Sequence, residues 1–213
     1  MAISRTKVAV VGAGRVGATL AYRRGGGRGW EDVGLVDSYQ RRAWAVATDL
    51  QHSVGVAGSA MDVRDGSYYD CADADVCVLT AGPQFPPNTP RLDKLDQTAT
   101  LVGRIVPSIM ATGFDGIFLV VTNPVDLMTW LVQQLSGLPD TRVIGPGTAL
   151  DTARLRCYLA DALAVDPRSV TAFVMGEHGE EQVIPWSLVS VAGKPLDQVF
   201  EDHPDLLPGF DRE

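Results

Sequence analysis

Metal ligands are scarce in this sequence. Of 213 residues only three are His and three are Cys. Cys71, Cys77 and Cys157 form no CxxC pair, and Asp202, Asp205 and Asp211 lack the spacing of a calcium loop, so no metal site is expected. Cys71 and Cys77 lie in or near an apolar run and read as buried free thiols, which fits a reducing, cytoplasmic setting. Positive charge is also in short supply: 18 Lys and Arg stand against 26 Asp and Glu, a net charge of −8. That balance speaks against nucleic acid or an anionic membrane as a general partner, although a local Arg cluster can still hold a small anion. No apolar stretch approaches the length that spans a bilayer. The opening MAISRTKVAVVG runs straight into a strand pattern, without the apolar core and cleavage site of a signal peptide. Repeats are absent, and low complexity is confined to one glycine patch and one proline patch.

What is present alternates. Lys7 to Val11 reads as a buried strand, Val16 to Tyr22 as a helix, and Asp32 to Asp37 as a second strand. A helix over Arg41 to Gln51, a third strand over Ser59 to Val63 and a fourth over Val76 to Thr80 follow. After the proline-rich loop Pro83 to Pro90 comes a long helix, Arg91 to Thr112, with a kink expected at Pro107. A fifth strand over Gly116 to Val121, a helix over Leu127 to Leu135, a short strand over Arg142 to Ile144, a helix over Asp151 to Ala164 and a strand over Val170 to Met175 complete the pattern. Strands alternating with helices predict an α/β fold with a doubly wound parallel sheet of the Rossmann type.

The first strand runs into Gly12-Ala13-Gly14-Arg15-Val16-Gly17, and Asp37 stands twenty residues beyond Gly17 at the end of the second strand. Strand, glycine turn, helix, strand and acid are the context a dinucleotide site requires. Gly12 permits the tight turn, Gly14 lets the backbone approach a pyrophosphate at the helix N-terminus, and Gly17 lets helix and strand pack closely. Asp37 can accept from ribose hydroxyls and would repel a 2′-phosphate, so NAD is favoured over NADP. One stretch breaks the pattern. The segment from Arg23 to Trp30, RRGGGRGW, replaces the apolar face of the first helix with glycine and arginine, and each interior Gly costs about 1 kcal/mol against Ala. It reads as an early helix end with a loose loop, or as a local frame error, since the strand pattern resumes at Val33.

Gly145 to Gly179 concentrates the chemistry. Asp151 and Arg154 share a helix face at i, i+3, and His178 follows a strand in a Gly-flanked turn. A carboxylate that fixes an imidazole and an Arg fork that grips a carboxylate are parts suited to oxidising a 2-hydroxy acid. Arg91 opens a helix, where a cation opposes the dipole, so it should serve something other than helix stability. Asn123 ends a strand, and the carboxyl ends of strands are where open α/β sheets bind ligands. His52 and His203 have no partner pattern and read as surface residues.

GAGRVG, LVD, LTAG, a loop ending in RLD, VTNPVD, GTALDTARLR and MGEHG occur in that order at matching intervals over roughly Lys7 to Pro195. The sequence thereby resembles the L-lactate/malate dehydrogenase family. The resemblance implies an NAD-binding Rossmann domain over residues 1–144 and the first part of an α+β substrate domain over residues 145–213. It implies NAD as cofactor, a small 2-oxo or 2-hydroxy acid as substrate, a homo-oligomer (dimer or tetramer), and a cytoplasmic role in carboxylic acid metabolism and glycolysis. By the same resemblance His178 is the acid/base, Asp151 orients it, Arg154 clamps the substrate carboxylate, Arg91 on a mobile loop polarises the carbonyl, and Asn123 bonds the substrate oxygen. Arg15, Val16, Asp37, Tyr68, Thr80, Ala81, Gly82, Val121, Thr122 and Asn123 join the three glycines in lining the cofactor.

The departures from the family refine the expectation. At the third residue after TAG, where lactate enzymes carry Gln and malate enzymes Arg, stands Phe85. An aromatic ring offers no partner to a second carboxylate, which favours pyruvate or a larger apolar 2-oxo acid, with malate dehydrogenase as the alternative. Asn88 replaces a hinge Gly, and Pro86, Pro87 and Pro90 should stiffen the loop. Pro146 replaces a Ser near the nicotinamide. Thr171 stands where fructose-bisphosphate-activated members carry His, so that activation is not expected, although Arg156 matches that site's Arg. After Pro195 the family continues with a long helix, two strands and a final helix, whereas this sequence stops at Glu213. A truncated, catalytically silent NAD-binding remnant, with weak NAD binding and little turnover, is therefore the second expectation.

Overall fold

A computed structural model describes residues 6–25, 29–86, 89 and 91–203. The chain forms two compact units, Met1–Gly145 and Pro146–Glu213.

In the first unit, β1 (Lys7–Val11), β2 (Asp32–Val36), β3 (Asp62–Asp65), β4 (Val76–Leu79), β5 (Ile117–Val120) and β6 (Val143–Ile144) form one sheet in the order β3-β2-β1-β4-β5-β6. Every neighbouring pair is parallel. This is the doubly wound arrangement that the alternating pattern predicts, and it reverses direction beside β1, where such sheets bind ligands. The helices are α1 (Arg15–Gly25), α2 (Gln40–Val56), α3 (Arg91–Met110) and α4 (Val125–Ser136).

The period-2 alternation of the strands divides their side chains between two cores. Val8 and Val10 of β1 pack with Val33, Leu35, Ala43, Ala47, Leu50 and Val78. Ala9 and Val11 pack with Cys77, Leu79, Val102, Val106, Phe118 and Val120. Each buried Val or Leu contributes about 1.5–3 kcal/mol, so β1, with both faces covered, is the most heavily invested strand. Cys71 and Cys77 are both buried free thiols; the hydrogen bond with the Cys71 sulfur, and then burial, raise the Cys77 thiol well above its ordinary value.

Several boundaries differ from expectation. α1 does not end at Tyr22 but continues to Gly25, with Ala21 buried and the Arg24 guanidinium 5.5 Å from the Trp30 ring centroid. A loose loop therefore does not begin at Arg23; residues 26–28 of the glycine patch lie outside the described residues. α2 extends to Val56 because Ala43, Ala47, Leu50 and Val54 sustain one buried stripe. β3 starts at Asp62 rather than Ser59, because the Ser59 N–H closes the end of α2 by donating to the Val54 carbonyl. α3 is continuous through Pro107.

The second unit contains α5 (Ala149–Leu163), a three-stranded sheet of β7 (Val170–Thr171), β10 (Ser190–Val191) and β11 (Lys194–Pro195) in the order β11-β10-β7, a hairpin of β8 (Met175–Gly176) with β9 (Gln182–Val183), and α6 (Leu196–Asp202). The expected strand Val170 to Met175 is thus two strands in two different sheets. Between them three backbone groups are satisfied by side chains of α5 and of its N-cap residue Thr148. Arg156 Nε donates to the Ala172 carbonyl at 3.0 Å, Thr148 Oγ1 donates to the Val174 carbonyl at 2.6 Å, and the Val174 N–H donates to Thr152 Oγ1 at 2.9 Å. Leu159, Ala160 and Leu163 of α5 bury against Val170, Ala172, Val189 and Leu196.

Candidate functional site

The first unit carries a cleft at the carboxyl ends of β1, β2 and β4, of about 380 Å3, lined among others by Gly12, Gly14, Arg15, Val16, Asp37 and Tyr68. Gly12 has φ +113°, and a Cβ there would stand 2.5 Å from the Ala81 nitrogen. At Gly17 a Cβ would stand 2.1 Å from the Gly12 carbonyl oxygen and 2.8 Å from Thr80 Oγ1. Both positions admit only glycine for reasons of space, as the spacing implied. Gly14 is different: a Cβ there meets nothing within 4 Å. The turn is thus closed on its protein side and open on its cleft side. α1 begins at Arg15 with no acid in its first turn, so its N–H groups face no competing carboxylate on their own helix. These features fit a dinucleotide pyrophosphate.

Asp37 is held in place rather than mobile. Its Oδ2 accepts from the Ala13 N–H at 3.0 Å, its Oδ1 accepts from the Tyr39 N–H at 2.8 Å, and its side chain is 7% exposed. The acid is thereby tied to the glycine turn itself. Thr80 Oγ1 donates to the Gly12 carbonyl at 2.8 Å, bracing the same turn from β4. Thr80, Ala81 and Gly82 all line the cleft, as does Tyr68, whose phenol burial pushes above its ordinary value. Val121, Thr122 and Asn123 stand at the end of β5, apart from the described residues that line this cleft. There the Thr122 hydroxyl donates to the Ala81 carbonyl at 2.7 Å, joining the ends of β4 and β5. Asn123 is exposed and precedes Pro124 through a cis peptide bond.

A second, wider groove of about 960 Å3 shares Gly14, Arg15 and Arg42 with the first and adds Phe85 and Lys94. The Lys94 ammonium lies 5.9 Å from the Phe85 ring centroid. The backbone of Arg91 opens α3, but its side chain lies outside the described residues, as do Pro87, Asn88 and Pro90.

In the second unit Asp151, on the first turn of α5, meets His178 in the loop of the β8–β9 hairpin: Nδ1 stands 2.5 Å from Oδ2. An ionised carboxylate only accepts, so Nδ1 carries the proton and Nε2 the lone pair. Asp151 is 12% exposed, and its other oxygen accepts from Arg154 at 3.3 Å. Arg154 is 58% exposed and, with Asp151, Tyr158, Val174 and Trp186, lines a groove of about 610 Å3. Acid, base and guanidinium predicted from sequence are thus brought together. Arg156 instead bonds the Ala172 carbonyl and lies 5.4 Å from the Phe173 ring centroid, which makes it a brace for the strand break.

Sequence reasoning missed Ser38 and Arg42 in the first cleft, and Thr148 and Thr152 in the support of Val174. An Arg five residues after the acid that ends the second strand was the available signal for Arg42. Nothing in the spacing of the two threonines distinguished them from surface residues of a helix.

Comparison with known proteins gives a consistent answer. The lactate/malate dehydrogenase NAD binding domain matches residues 6–145, and the lactate/malate dehydrogenase alpha/beta C-terminal domain matches residues 148–206. L-lactate dehydrogenase 3 of Bacillus cereus is 44% identical over 205 residues, covering 96% of this chain and 65% of that protein. L-lactate dehydrogenase 1 of Bifidobacterium longum is 43% identical, covering 95% of this chain and 64% of its own. Among solved structures, the ligand-bound minor L-lactate dehydrogenase of Enterococcus mundtii superposes with a TM-score of 0.90 at 42% identity, covering 95% of this chain and 64% of that one. The malate dehydrogenase of Picrophilus torridus does so at 0.84 and 30%, covering 95% and 65%. The chain therefore spans about 65% of the length of the curated relatives it matches.

Proposed function

The chain belongs to the lactate/malate dehydrogenase family, and from that premise we propose that it acts as an NAD-dependent L-2-hydroxy-acid dehydrogenase, with lactate/pyruvate or a larger apolar 2-oxo acid as substrate. The observation that carries the reading is the Asp151–His178 pair, with Nδ1 2.5 Å from Oδ2. It leaves Nε2 as the atom that takes the hydroxyl proton as the C–O bond becomes a carbonyl, and Asp151 stabilises the imidazolium that results. NAD, when bound, supplies the acceptor for the hydride released from the same carbon. Arg154, exposed and one turn from Asp151, pairs with the substrate carboxylate. Arg91 polarises the carbonyl, and Asn123 bonds the substrate oxygen. Asp37 receives the ribose hydroxyls, Gly14 and the first turn of α1 the pyrophosphate, and Tyr68, Val16 and Gly82 wall the nucleotide. The buried thiols Cys71 and Cys77 fit a reducing cytoplasm, and we expect a homo-oligomer, to be read by light scattering.

Malate is the second reading, and one observation favours it: Lys94 brings a cation to within 5.9 Å of the Phe85 ring, where a second carboxylate would otherwise meet no partner. NADH oxidation measured with pyruvate, phenylpyruvate and oxaloacetate separates the two. Preference for oxaloacetate would overturn the lactate reading. NADH binding without turnover of any of the three would make the chain a cofactor-binding protein only.

A further inference from the structure

Arg42 is a charged group of the cleft that the reading above does not use. The Arg42 guanidinium stands 3.6 Å from Asp37 Oδ2 and lies 5.8 Å from the Tyr39 ring centroid, and its side chain is 43% exposed. It lines both the cofactor cleft and the wider groove beside it, together with Gly14 and Arg15. Arg42 thus sits against the acid and the ring, while 43% of its side chain stays exposed at the cleft lining. Asp37 itself has one oxygen on the Ala13 N–H and the other on the Tyr39 N–H, so its charge is already partly met by backbone donors. Next to it the exposed Ser38 lines the same cleft.

An acid at the end of the second strand selects the ribose hydroxyls by repelling a 2′-phosphate, whereas an Arg nearby accommodates that phosphate. This chain carries both, in contact. We propose that Arg42 is a determinant of cofactor specificity: it offsets the repulsion by Asp37 so that the site accepts the 2′-phosphorylated dinucleotide as well as NAD. The inference rests on the reading of this cleft as the dinucleotide site. A planar fork that is already oriented loses little freedom on pairing with phosphate oxygens, and a charge-assisted pair of this kind changes affinity by about tenfold to a hundredfold.

The test is equilibrium titration of the full chain with NADH and with NADPH, followed by nicotinamide fluorescence, which requires no turnover. The unsubstituted chain is expected to bind both. Arg42→Gln is expected to raise the ratio of the NADPH to the NADH dissociation constant by about tenfold or more. Arg42→Lys, which keeps the charge but loses the fork, should fall between. Asp37→Ser with Arg42 retained should lower the ratio. If Arg42 only braces Asp37, the Gln variant weakens both cofactors alike and the ratio stays put, which overturns the inference. NADH binding with no detectable NADPH binding by the unsubstituted chain overturns it too. Failure to bind either dinucleotide would instead bring down the reading of the cleft itself, and the inference with it.

Discussion

Nδ1 of His178 lies 2.5 Å from Oδ2 of Asp151, although the two residues are 27 apart in sequence. The carboxylate fixes which ring nitrogen carries the proton. Asp151→Asn keeps the shape but can present an N–H to the ring and so favour the wrong tautomer. The expected result is a fall in kcat of about 10²–10⁴-fold with a smaller change in KM. The 15N resonances of the His178 ring should exchange their protonated and unprotonated character. Unchanged ring resonances would show that Asp151 does not orient the base.

Two glycines of the first turn should respond in opposite ways to the same substitution. Gly17→Ala drives a methyl group to 2.1 Å from the Gly12 carbonyl oxygen and is expected to cost about 1–3 kcal/mol, read from urea denaturation. Gly14→Ala meets no atom within 4 Å and should leave stability within about 0.5 kcal/mol. It should nonetheless weaken NADH binding about tenfold, because the methyl occupies the approach of the pyrophosphate.

Thr152→Val removes the oxygen that receives the Val174 N–H while preserving the shape of the side chain. Val174 is buried, so its N–H would lose its acceptor without gaining water. The expected loss is about 1–3 kcal/mol of unfolding free energy, with Thr152→Ser retaining most of it. Equal stability of the Val variant would mean that the strand break does not depend on Thr152.

Burial raises the Tyr68 phenol above its ordinary value of 10.0, reinforced by the charges of Cys71, Cys77 and Asp37. The folded state therefore holds this proton more tightly than the unfolded chain does. The stability so conferred is complete below the ordinary phenol value and is lost as pH rises through the raised one. Tyr68→Phe cannot ionise and should flatten the alkaline limb of a plot of denaturation midpoint against pH. An unaltered limb would show that Tyr68 contributes nothing to it.

The sheet and the glycine turn were legible because both follow from local rules. Short apolar, β-branched runs placed β1, β2 and β4, and Gly12, Gly17 and Asp37 carried steric or charge demands readable at fixed spacing. The break between Thr171 and Met175 was not legible. Its residues have the β-branched and apolar character of a strand, and only the side chains of Thr148, Thr152 and Arg156, twenty or so residues earlier, divert the backbone. The extent of α1 past Arg23 was hidden for the converse reason. Its glycines are poor helix formers and its arginines interrupt the apolar stripe, yet Ala21 is buried and Arg24 lies against Trp30. At the site, the pairing of Asp151 with His178 could be guessed from residue type, whereas the closeness of Arg42 to Asp37 depended on where α2 begins.

The Ala172 carbonyl and both backbone groups of Val174 are secured by side chains of α5 and of its N-cap residue Thr148. Protection of the Val174 amide from deuterium is then set by the opening of α5. Asp151 rides on that helix, and His178 follows from the same segment four residues after Val174. A fluctuation of α5 that frees the Val174 amide moves Asp151 as well, so the exchange rate of that single amide is expected to report how often the Asp151–His178 pair comes apart.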